Sequence, residues 1–447
     1  MNNIDFTTGK LFPKMIKFSL PFIFAIVLQA LYGAVDLMIV GNYGSSASQA
    51  AVATGGHIMQ TFTGIITGFT MGITVVIGRF IGAKHNEYIG KVIGNTTIIF
   101  SIIAVIITAV AIGLEGVFVR LLQVPLEAVE GCLEYMFICS LGFIFVVAYN
   151  VISGFFRGVG NSNLPLLFIG IACVFNILLD LLFVKVLHLD AAGAAIATVL
   201  AQVISVVCSI ITMYKKREIF HISKDGFKLD KNIIKDVFKI GLPIALQDGL
   251  TNISFLVIHS LINGMGINES AGIGIAERLF VILSIVPMSY MSVLATVVSQ
   301  NDGAGLKKRT NIALLQGTAV SFVFGLSTFM LSFFGAEFLI RIFTVDEAVI
   351  SCTIDYLKVS SFEYLLISIA FCFMGYFNGK GHSFFVMVQG LMATFLCRIP
   401  LSFYYSGVED AKMWMMAVPI PISAVVNLVL CFIYFIVLMF KEKKIAS

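Results

Sequence analysis

About twelve long apolar runs, separated by short polar loops, constrain the fold of this 447-residue chain more than any other feature. A helix needs about 20 apolar residues to cross a bilayer, and in lipid its backbone polar groups must be paired internally. Apolar residues make up 59% of the chain and charged residues only 12%. The sequence therefore predicts an all-α integral membrane protein with twelve transmembrane helices. The predicted spans are residues 13–40, 47–78, 92–114, 130–156, 162–187, 191–214, 232–264, 268–300, 310–334, 352–378, 383–405 and 413–440.

The distribution of Lys and Arg predicts the orientation of these helices. With twelve spans both termini lie on one side, and that side carries 22 of the 29 basic residues, against 5 on the other. Because basic loops stay in the cytoplasm, we expect both termini to be cytoplasmic. The net charge of +4 then reflects topology, so no nucleic-acid partner is expected. The apolar run after Lys17 is too long for a cleavable signal peptide and lacks a small-residue cleavage site.

The two halves of the chain resemble each other in sequence. The single long and strongly charged loop, 215–239, falls at the midpoint, with six predicted spans on each side. Leu20-Pro21 matches Leu242-Pro243, and the RGVG of 157–160 matches the NGKG of 378–381 at nearly the same offset. Parallel repeats of this kind occur in secondary transporters, where the substrate site lies at the repeat interface. We therefore predict two pseudo-symmetric six-helix bundles, formed by lobes 1–222 and 223–447.

Pro21 and Pro243 fall early in the first span of each half. Proline removes a backbone donor and kinks a helix, and in a membrane the freed carbonyl needs another partner. Two interpretations are open from the sequence. The prolines make static kinks that improve packing, or they allow bends that change as the protein works. Both residues are candidates for helix bending.

Ionisable side chains inside predicted spans are candidates for function, because they are rare and costly in a membrane. They are Asp36, Asp180, Asp248, Glu277, Arg278, Glu363 and Arg398. Asn176 lies four residues before Asp180, so the two side chains share one helix face. Thr198, early in the following span, adds a hydroxyl. Oxygens of these types bind a hard cation such as Na⁺, and a carboxyl pair can also hold a proton.

We therefore predict that Asp36, Asn176, Asp180 and Thr198 form a site for H⁺ or Na⁺. If the two aspartates are close, they titrate as one coupled unit. The alternative for Asp36 is a hydrogen bond to neighbouring helices without an ion.

The charged residues of the second half allow more than one interpretation. Glu277 and Arg278 pair with each other or with Glu363 and Arg398. A structural salt-bridge network is at least as good a prediction there as a second ion site. Asp248, near the proline of its span, is open between a functional role and a helix-packing contact.

Missing motifs exclude several classes of enzyme and pump. A nucleotide-driven pump needs G-x-x-x-x-G-K-[ST], and the nearest stretch, GYFNGKGHS at 375–383, does not fit it. The sequence contains no Gly-x-Ser-x-Gly elbow and no His-Glu-x-x-His motif, and its eight cysteines and six histidines are scattered without metal-ligand spacing. We expect no enzyme and no cofactor, so any energy must come from an ion gradient.

The chain resembles the multidrug and toxic compound extrusion (MATE) transporters over essentially its whole length. The resemblance rests on Pro21, Gln29, Asp36 and Val40-Gly41 in the first span, RGVGNS at 157–162, Asn176-x-x-x-Asp180, and Thr198. It implies an antiporter that exports organic cations, drugs and other toxic compounds in exchange for inward H⁺ or Na⁺, by rocker-type alternating access. It also implies a bacterial plasma membrane, and the internal duplication makes a monomer sufficient.

The resemblance also implies site residues. The cation site of prokaryotic members maps onto Asp36, Asn176, Asp180 and Thr198. Glu277 and Glu363 resemble acids that some branches use in the C-terminal half, and Gln29 and Arg398 are further possible substrate contacts. The offset that relates Pro21 to Pro243 places Ile258 at the position of Asp36 in the second half, so we expect ion coupling in the N-terminal half.

Two rival functions are kept. A flippase for lipid-linked precursors shares the broader fold and needs cations for a pyrophosphate headgroup, for which Arg157 and Arg398 are the obvious candidates. An intramembrane aspartyl protease needs a Gly-x-Gly-Asp stretch, which the sequence lacks.

Overall fold

The computed structural model describes residues 3–122, 124–221 and 224–446, and in these ranges the chain is helical with no β-strand. Two π-helical segments, Leu181–Val186 and Met392–Arg398, extend α6 and α16, and a 3₁₀ turn covers Lys224–Phe227. The α-helices are α1 Leu11–Tyr43, α2 Ser46–Gly82, α3 Glu87–Leu121, α4 Leu126–Leu141, α5 Phe143–Gly158, α6 Asn163–Asp180, α7 Asp190–Lys215, α8 Arg217–Phe220, α9 Lys231–Asn263, α10 Ile267–Leu283, α11 Ile285–Gly303, α12 Lys307–Phe334, α13 Ala336–Arg341, α14 Glu347–Ser360, α15 Phe362–Gly379, α16 Ser383–Leu391, α17 Ile399–Ser406, α18 Met413–Ala417 and α19 Pro419–Ala446.

The predicted all-α membrane fold is confirmed. Within the described ranges, ten helical segments are long and apolar enough to cross a membrane, and two bent helix pairs bring the number of spans to as many as twelve. The bends measure 47° between α4 and α5 and 42° between α10 and α11. At the first bend, a Cβ on Gly142 would lie 2.3 Å from the side chain of Val199, so only glycine lets α7 pack there. Ser361 likewise separates α14 from α15 within the predicted span 352–378.

The chain divides into two compact units. Unit 1 holds the residues up to Ala245 together with Ser299–Leu306, and unit 2 holds Leu246–Val298 and the residues from Lys307 onward. Pro21 lies inside α1 in unit 1, and Pro243 lies inside α9. The division into lobes 1–222 and 223–447 concerns the symmetry of the sequence repeat, and it stays a prediction.

Each unit contains two helices that approach closely through a Gly-x-x-x-Gly pair. In unit 1, Gly154 and Gly158 of α5 face α2, and in unit 2, Gly375 and Gly379 of α15 face α11. A Cβ on Gly375 would lie 2.2 Å from the carbonyl oxygen of Met291. Small residues at this spacing let membrane helices pack backbone to backbone. The same device therefore joins one helix pair in each unit.

Residues 3–10 fold against the rest of unit 1 before α1 begins. The Phe6 ring is fully buried and meets the Phe18 ring edge-on, with their centroids 5.4 Å apart. The Phe6 amide donates to Oε1 of Gln300 at 3.2 Å, and the Ile4 amide donates to the carbonyl of Gly160 at 3.0 Å. The N-terminal segment is therefore an integral part of unit 1.

Gly160→Ala is expected to destabilise the protein more than Gly305→Ala. Both glycines have positive φ, 80° and 70°, so each substitution strains the backbone by about 1 kcal/mol or more. Only at Gly160 would the new Cβ also meet a neighbour, 2.2 Å from the carbonyl oxygen of Ile4, whereas Gly305 faces open space. Overpacking adds about 1–3 kcal/mol. Thermal-inactivation midpoints of the detergent-solubilised proteins measure the difference, and equal losses for the two variants would contradict this account.

Candidate functional site: a buried carboxylate pair in unit 1

The structure brings the predicted cation-site residues together inside unit 1. Asp36 comes from α1, Asn176 and Asp180 from α6, and Thr198 from α7, and these three helices pack against one another. Asp36 is 4% exposed, and Asn176 and Asp180 are fully buried. The Thr198 hydroxyl donates to Oδ2 of Asp36 at 3.2 Å. The Asp36 carboxyl also faces the side chains of Asp180 and Asn176.

Polar atoms without partners mark the centre of this cluster. They are Oδ1 of Asp36, both carboxylate oxygens of Asp180, and Oδ1 and Nδ2 of Asn176; all are buried without a hydrogen-bond partner among the residues that the structure describes. A buried polar atom without a partner costs about 1–3 kcal/mol. Such a concentration of unpaired oxygens is expected where a ligand completes the set.

The available donor set suits a small hard cation or a proton. Two carboxylates, an amide oxygen and a hydroxyl are ligands that Na⁺ accepts. Over the described ranges, the structure contains no group of three or more His, Cys, Asp or Glu side chains that could hold a metal ion. These ligand types are compatible with the Na⁺ or H⁺ site predicted from the sequence, and the identity of the ion stays a prediction.

A change of helix type follows the second aspartate directly. α6 ends at Asp180, and the chain continues as the π-helical segment Leu181–Val186. Segments of π-helix are rare and occur frequently at functional sites, because they shift the phase of the side chains that follow. The turn ends beside α1, where the Lys185 ammonium lies 4.6 Å from the ring centroid of Tyr43. The sequence carried no signal for this feature.

Three residues near the carboxylates were missed from the sequence. Tyr32 lies one helical turn before Asp36, and its hydroxyl is 3.5 Å from the carbonyl oxygen of Thr198. Tyr135 and Cys139 of α4 are buried close to Asp36. Helical spacing alone could have identified Tyr32. The other two come from a helix that is distant in sequence, so no local pattern pointed to them.

Three charged candidates of the second half, Glu277, Glu363 and Arg398, lie in unit 2 and belong to two separate pairs. Nη2 of Arg398 is 3.8 Å from Oε1 of Glu363, and Nε2 of His259 is 2.8 Å from Oε2 of Glu277. The sequence predicted Arg278 or Arg398 as the partner of Glu277, whereas the structure pairs Glu277 with His259. This pattern resembles the structural network that was one of the two interpretations.

The remaining candidates differ in how far their side chains are exposed. Gln29 is exposed on α1 and Arg278 is exposed on α10. Asp248 is half-buried in α9, shortly after Pro243.

A helical membrane protein with repeated halves and a buried carboxylate pair has the features of a secondary transporter. The family model described as MatE matches residues 21–182 and again 243–404, so one match begins at Pro21 and the other at Pro243. The chain belongs to the MatE family and is a MATE family transporter, which confirms the resemblance predicted from the sequence.

Curated bacterial relatives match along most of the chain. The "Probable multidrug resistance protein YpnP" of Bacillus subtilis is 26% identical over 408 residues, covering 91% of each protein. The "Multidrug export protein MepA" of Staphylococcus saprophyticus is 24% identical, covering 90% of this chain and 89% of the relative. The "Probable multidrug resistance protein NorM" of Thermotoga maritima is 25% identical, covering 87% and 84%.

Solved structures share the fold. An outward-facing multidrug resistance MATE family transporter superposes with a TM-score of 0.91 at 22% identity, covering 97% of both chains. A MOP superfamily transporter from Pyrococcus furiosus gives 0.91 at 21% identity, covering 100% of this chain and 99% of the other. A structure described as MATE in the bent conformation gives 0.89 at 22% identity and covers 97% of both chains.

Proposed function

We propose that this protein is an antiporter that exports organic cations, drugs and other toxic compounds in exchange for H⁺ or Na⁺ moving inward, by rocker-type alternating access. The observation that carries the proposal is the set of buried, unpartnered oxygens of Asp36, Asn176 and Asp180. The names of the curated relatives, which refer to multidrug resistance and multidrug export, support the substrate class.

The carboxylate pair gives a physical basis for ion coupling. Two facing carboxylates inside a protein repel each other and lose their hydration, so both cannot stay charged without a cation or proton nearby. Binding of one H⁺ or Na⁺ at Asp36 and Asp180 removes most of that penalty. The ion would thereby strengthen the packing of α1 on α6, while its release would weaken it.

Helix α1 is the element through which the ion would act on the substrate. It carries Asp36 and, several turns earlier, Pro21, which interrupts the helical hydrogen bonding. We propose that α1 bends at Pro21 when the ion binds and straightens when it leaves, and that Pro243 gives α9 a similar freedom. Bending would displace the exported compound, so ion entry and export alternate. In this scheme, Glu277, Glu363 and Gln29 are candidate substrate contacts.

The setting of this exchange follows the sequence prediction. We propose a plasma-membrane protein with both termini in the cytoplasm and lobes at 1–222 and 223–447. A monomer would suffice, because the chain supplies both repeats.

The test is ethidium efflux from proteoliposomes under one imposed gradient at a time. An H⁺ gradient or a Na⁺ gradient is expected to drive wild-type efflux at least about tenfold above the rate without a gradient, and the effective gradient identifies the ion. Abolition of the effect by an ionophore that dissipates the gradient is the control. Ethidium that moves under neither gradient, with a fluorescent lipid-linked headgroup that does move, would favour the flippase instead.

A further inference from the structure

Unit 2 contains a small cavity whose lining is unusual for a membrane interior. It encloses about 30 Å³, room for about two water molecules. Aromatic and acidic side chains make up much of its wall, together with one guanidinium: Phe255, Phe280, Tyr356, Glu277, Glu363 and Arg398. Aromatic rings combined with carboxylates form the kind of cage that binds organic cations.

The guanidinium of Arg398 already takes the place of a bound cation in this cage. Its central carbon lies 4.7 Å from the ring centroid of Phe255, and Nη2 lies 3.8 Å from Oε1 of Glu363. The Arg398 side chain is only 9% exposed. The protein's own cation therefore makes the ring contact and the carboxylate contact that an organic cation would make.

The guanidinium is held mainly by its charge attraction to Glu363 and by its contact with the Phe255 ring. Its Nε is buried and has no hydrogen-bond partner in the described part of the chain, and its contact with Glu363 is longer than a hydrogen bond. The second acid of the cage, Glu277, is paired separately with His259 at 2.8 Å. A mobile cation could therefore replace the guanidinium without breaking an extended network.

The internal repeat shows how the two halves differ. The family matches 21–182 and 243–404 are equal in length, so position 21 corresponds to 243 and position 182 to 404. The same offset relates Asn176 to Arg398 and Asp36 to Ile258. Where the first half carries an acid and an amide with unpaired oxygens, the second half carries an aliphatic residue and a fixed positive charge. The second half thus combines two other acids, Glu277 and Glu363, with a cation of its own.

We propose that Arg398 is a specificity-determining residue, a tethered cation that fills the aromatic–carboxylate cage of unit 2 and competes with monovalent organic cations for it. The role of Arg398 in export rests on the proposed function. Its effect on cation binding to the cage does not, because that binding is measurable without any gradient.

The test is equilibrium binding of radiolabelled guanidinium, an ion of the size of the group removed, to the full-length protein in nanodiscs. Arg398→Gln is expected to bind the probe about tenfold more tightly than wild type, or to bind one further equivalent, because the competing guanidinium is gone. Adding Glu363→Gln to this variant should return binding to the wild-type level. Arg341→Gln is the matched control, since Arg341 is an exposed arginine of unit 2 that pairs with Glu337 and Glu347, and it should leave binding unchanged.

Two outcomes would overturn the proposal. One is a folded Arg398→Gln protein, with a wild-type elution profile, that binds guanidinium no better than wild type. The other is a gain in guanidinium binding that survives Glu363→Gln. If Arg398→Gln is unstable because Glu363 loses its partner, millimolar guanidinium present during purification should raise its yield but not that of wild type, and an unchanged yield counts against the cage. The gain in cation binding caused by Arg398→Gln should persist in an Asp36→Asn background. Failure of the antiport proposal can therefore be distinguished from failure of the proposal for Arg398.

Discussion

Asp36→Asn and Asp180→Asn are each expected to abolish gradient-driven export by this protein. The amide keeps the size of the carboxyl group but carries no charge, so the pair can no longer exchange a proton or hold Na⁺ with two carboxylates. Loss of a charged ligand costs about 3 kcal/mol of binding or more, which corresponds to a decrease on the order of 100-fold. The measurement is ethidium efflux from proteoliposomes under the gradient that drives the wild type.

Two comparisons sharpen this result. Asp236→Asn removes an exposed carboxylate from the start of α9 and should leave efflux within about twofold of wild type. The double variant Asp36→Asn/Asp180→Asn should be no worse than either single variant, because residues that act as one unit give non-additive losses. Full coupling in both single variants would move the ion site elsewhere, and Glu277 and Glu363 would become the next candidates.

The sequence predicted the spans well because a bilayer imposes a one-dimensional rule on hydropathy. It did not predict the bend between α4 and α5, because that bend depends on a partner distant in sequence. Gly142 shows this, since the side chain that requires a glycine there belongs to Val199 on α7. The sequence also did not predict the π-helical segment after Asp180, because nothing in LLFVKV departs from ordinary helix-forming sequence.

Part of the candidate site could be predicted from the sequence, because it depends on local helix geometry. Asn176 and Asp180 are one helical turn apart, and helix geometry alone predicted that they share a face. That Thr198 donates to Asp36 depends on how α7 packs against α1, whereas the sequence predicted only that the Thr198 hydroxyl belongs to the site. Tyr135, which packs near the same aspartate, comes from α4 and had no signal in its own neighbourhood.

The central loop is a second case in which tertiary contacts went beyond the sequence prediction. Residues 215–239 were interpreted as a charged cytoplasmic connection between two repeats. In the structure, Asn95 of α3 donates from Nδ2 to the carbonyls of Gly226 and Lys228, at 3.2 and 3.0 Å, and accepts from the Asp230 amide at 2.6 Å. Part of the loop is thus fixed to α3 by the buried side-chain amide of Asn95. The pattern of charges in the loop could not predict this contact.

Gly375→Ala is expected to cause a large loss of stability. A Cβ at this position would lie 2.2 Å from the carbonyl oxygen of Met291 and 3.0 Å from its Cα. These are backbone atoms in the middle of α11, so no side-chain rotation can relieve the contact and the two helices must separate. Overpacking of this kind costs about 3 kcal/mol, which lowers the thermal midpoint of a chain of this length by roughly 3 °C.

Gly274→Ala in α10 of the same unit provides the matched control, because a Cβ at Gly274 has nothing within 4 Å. Alanine is favoured over glycine inside a helix by about 0.5–1 kcal/mol, so this variant should be neutral or slightly stabilised. Thermal-inactivation midpoints from fluorescence-detected size-exclusion chromatography compare the two variants with wild type. Opposite signs would show that the Gly-x-x-x-Gly contact between α15 and α11 sets the stability of unit 2. Equal shifts would show that glycine acts at Gly375 through helix propensity alone, and that the close approach of these backbones contributes nothing.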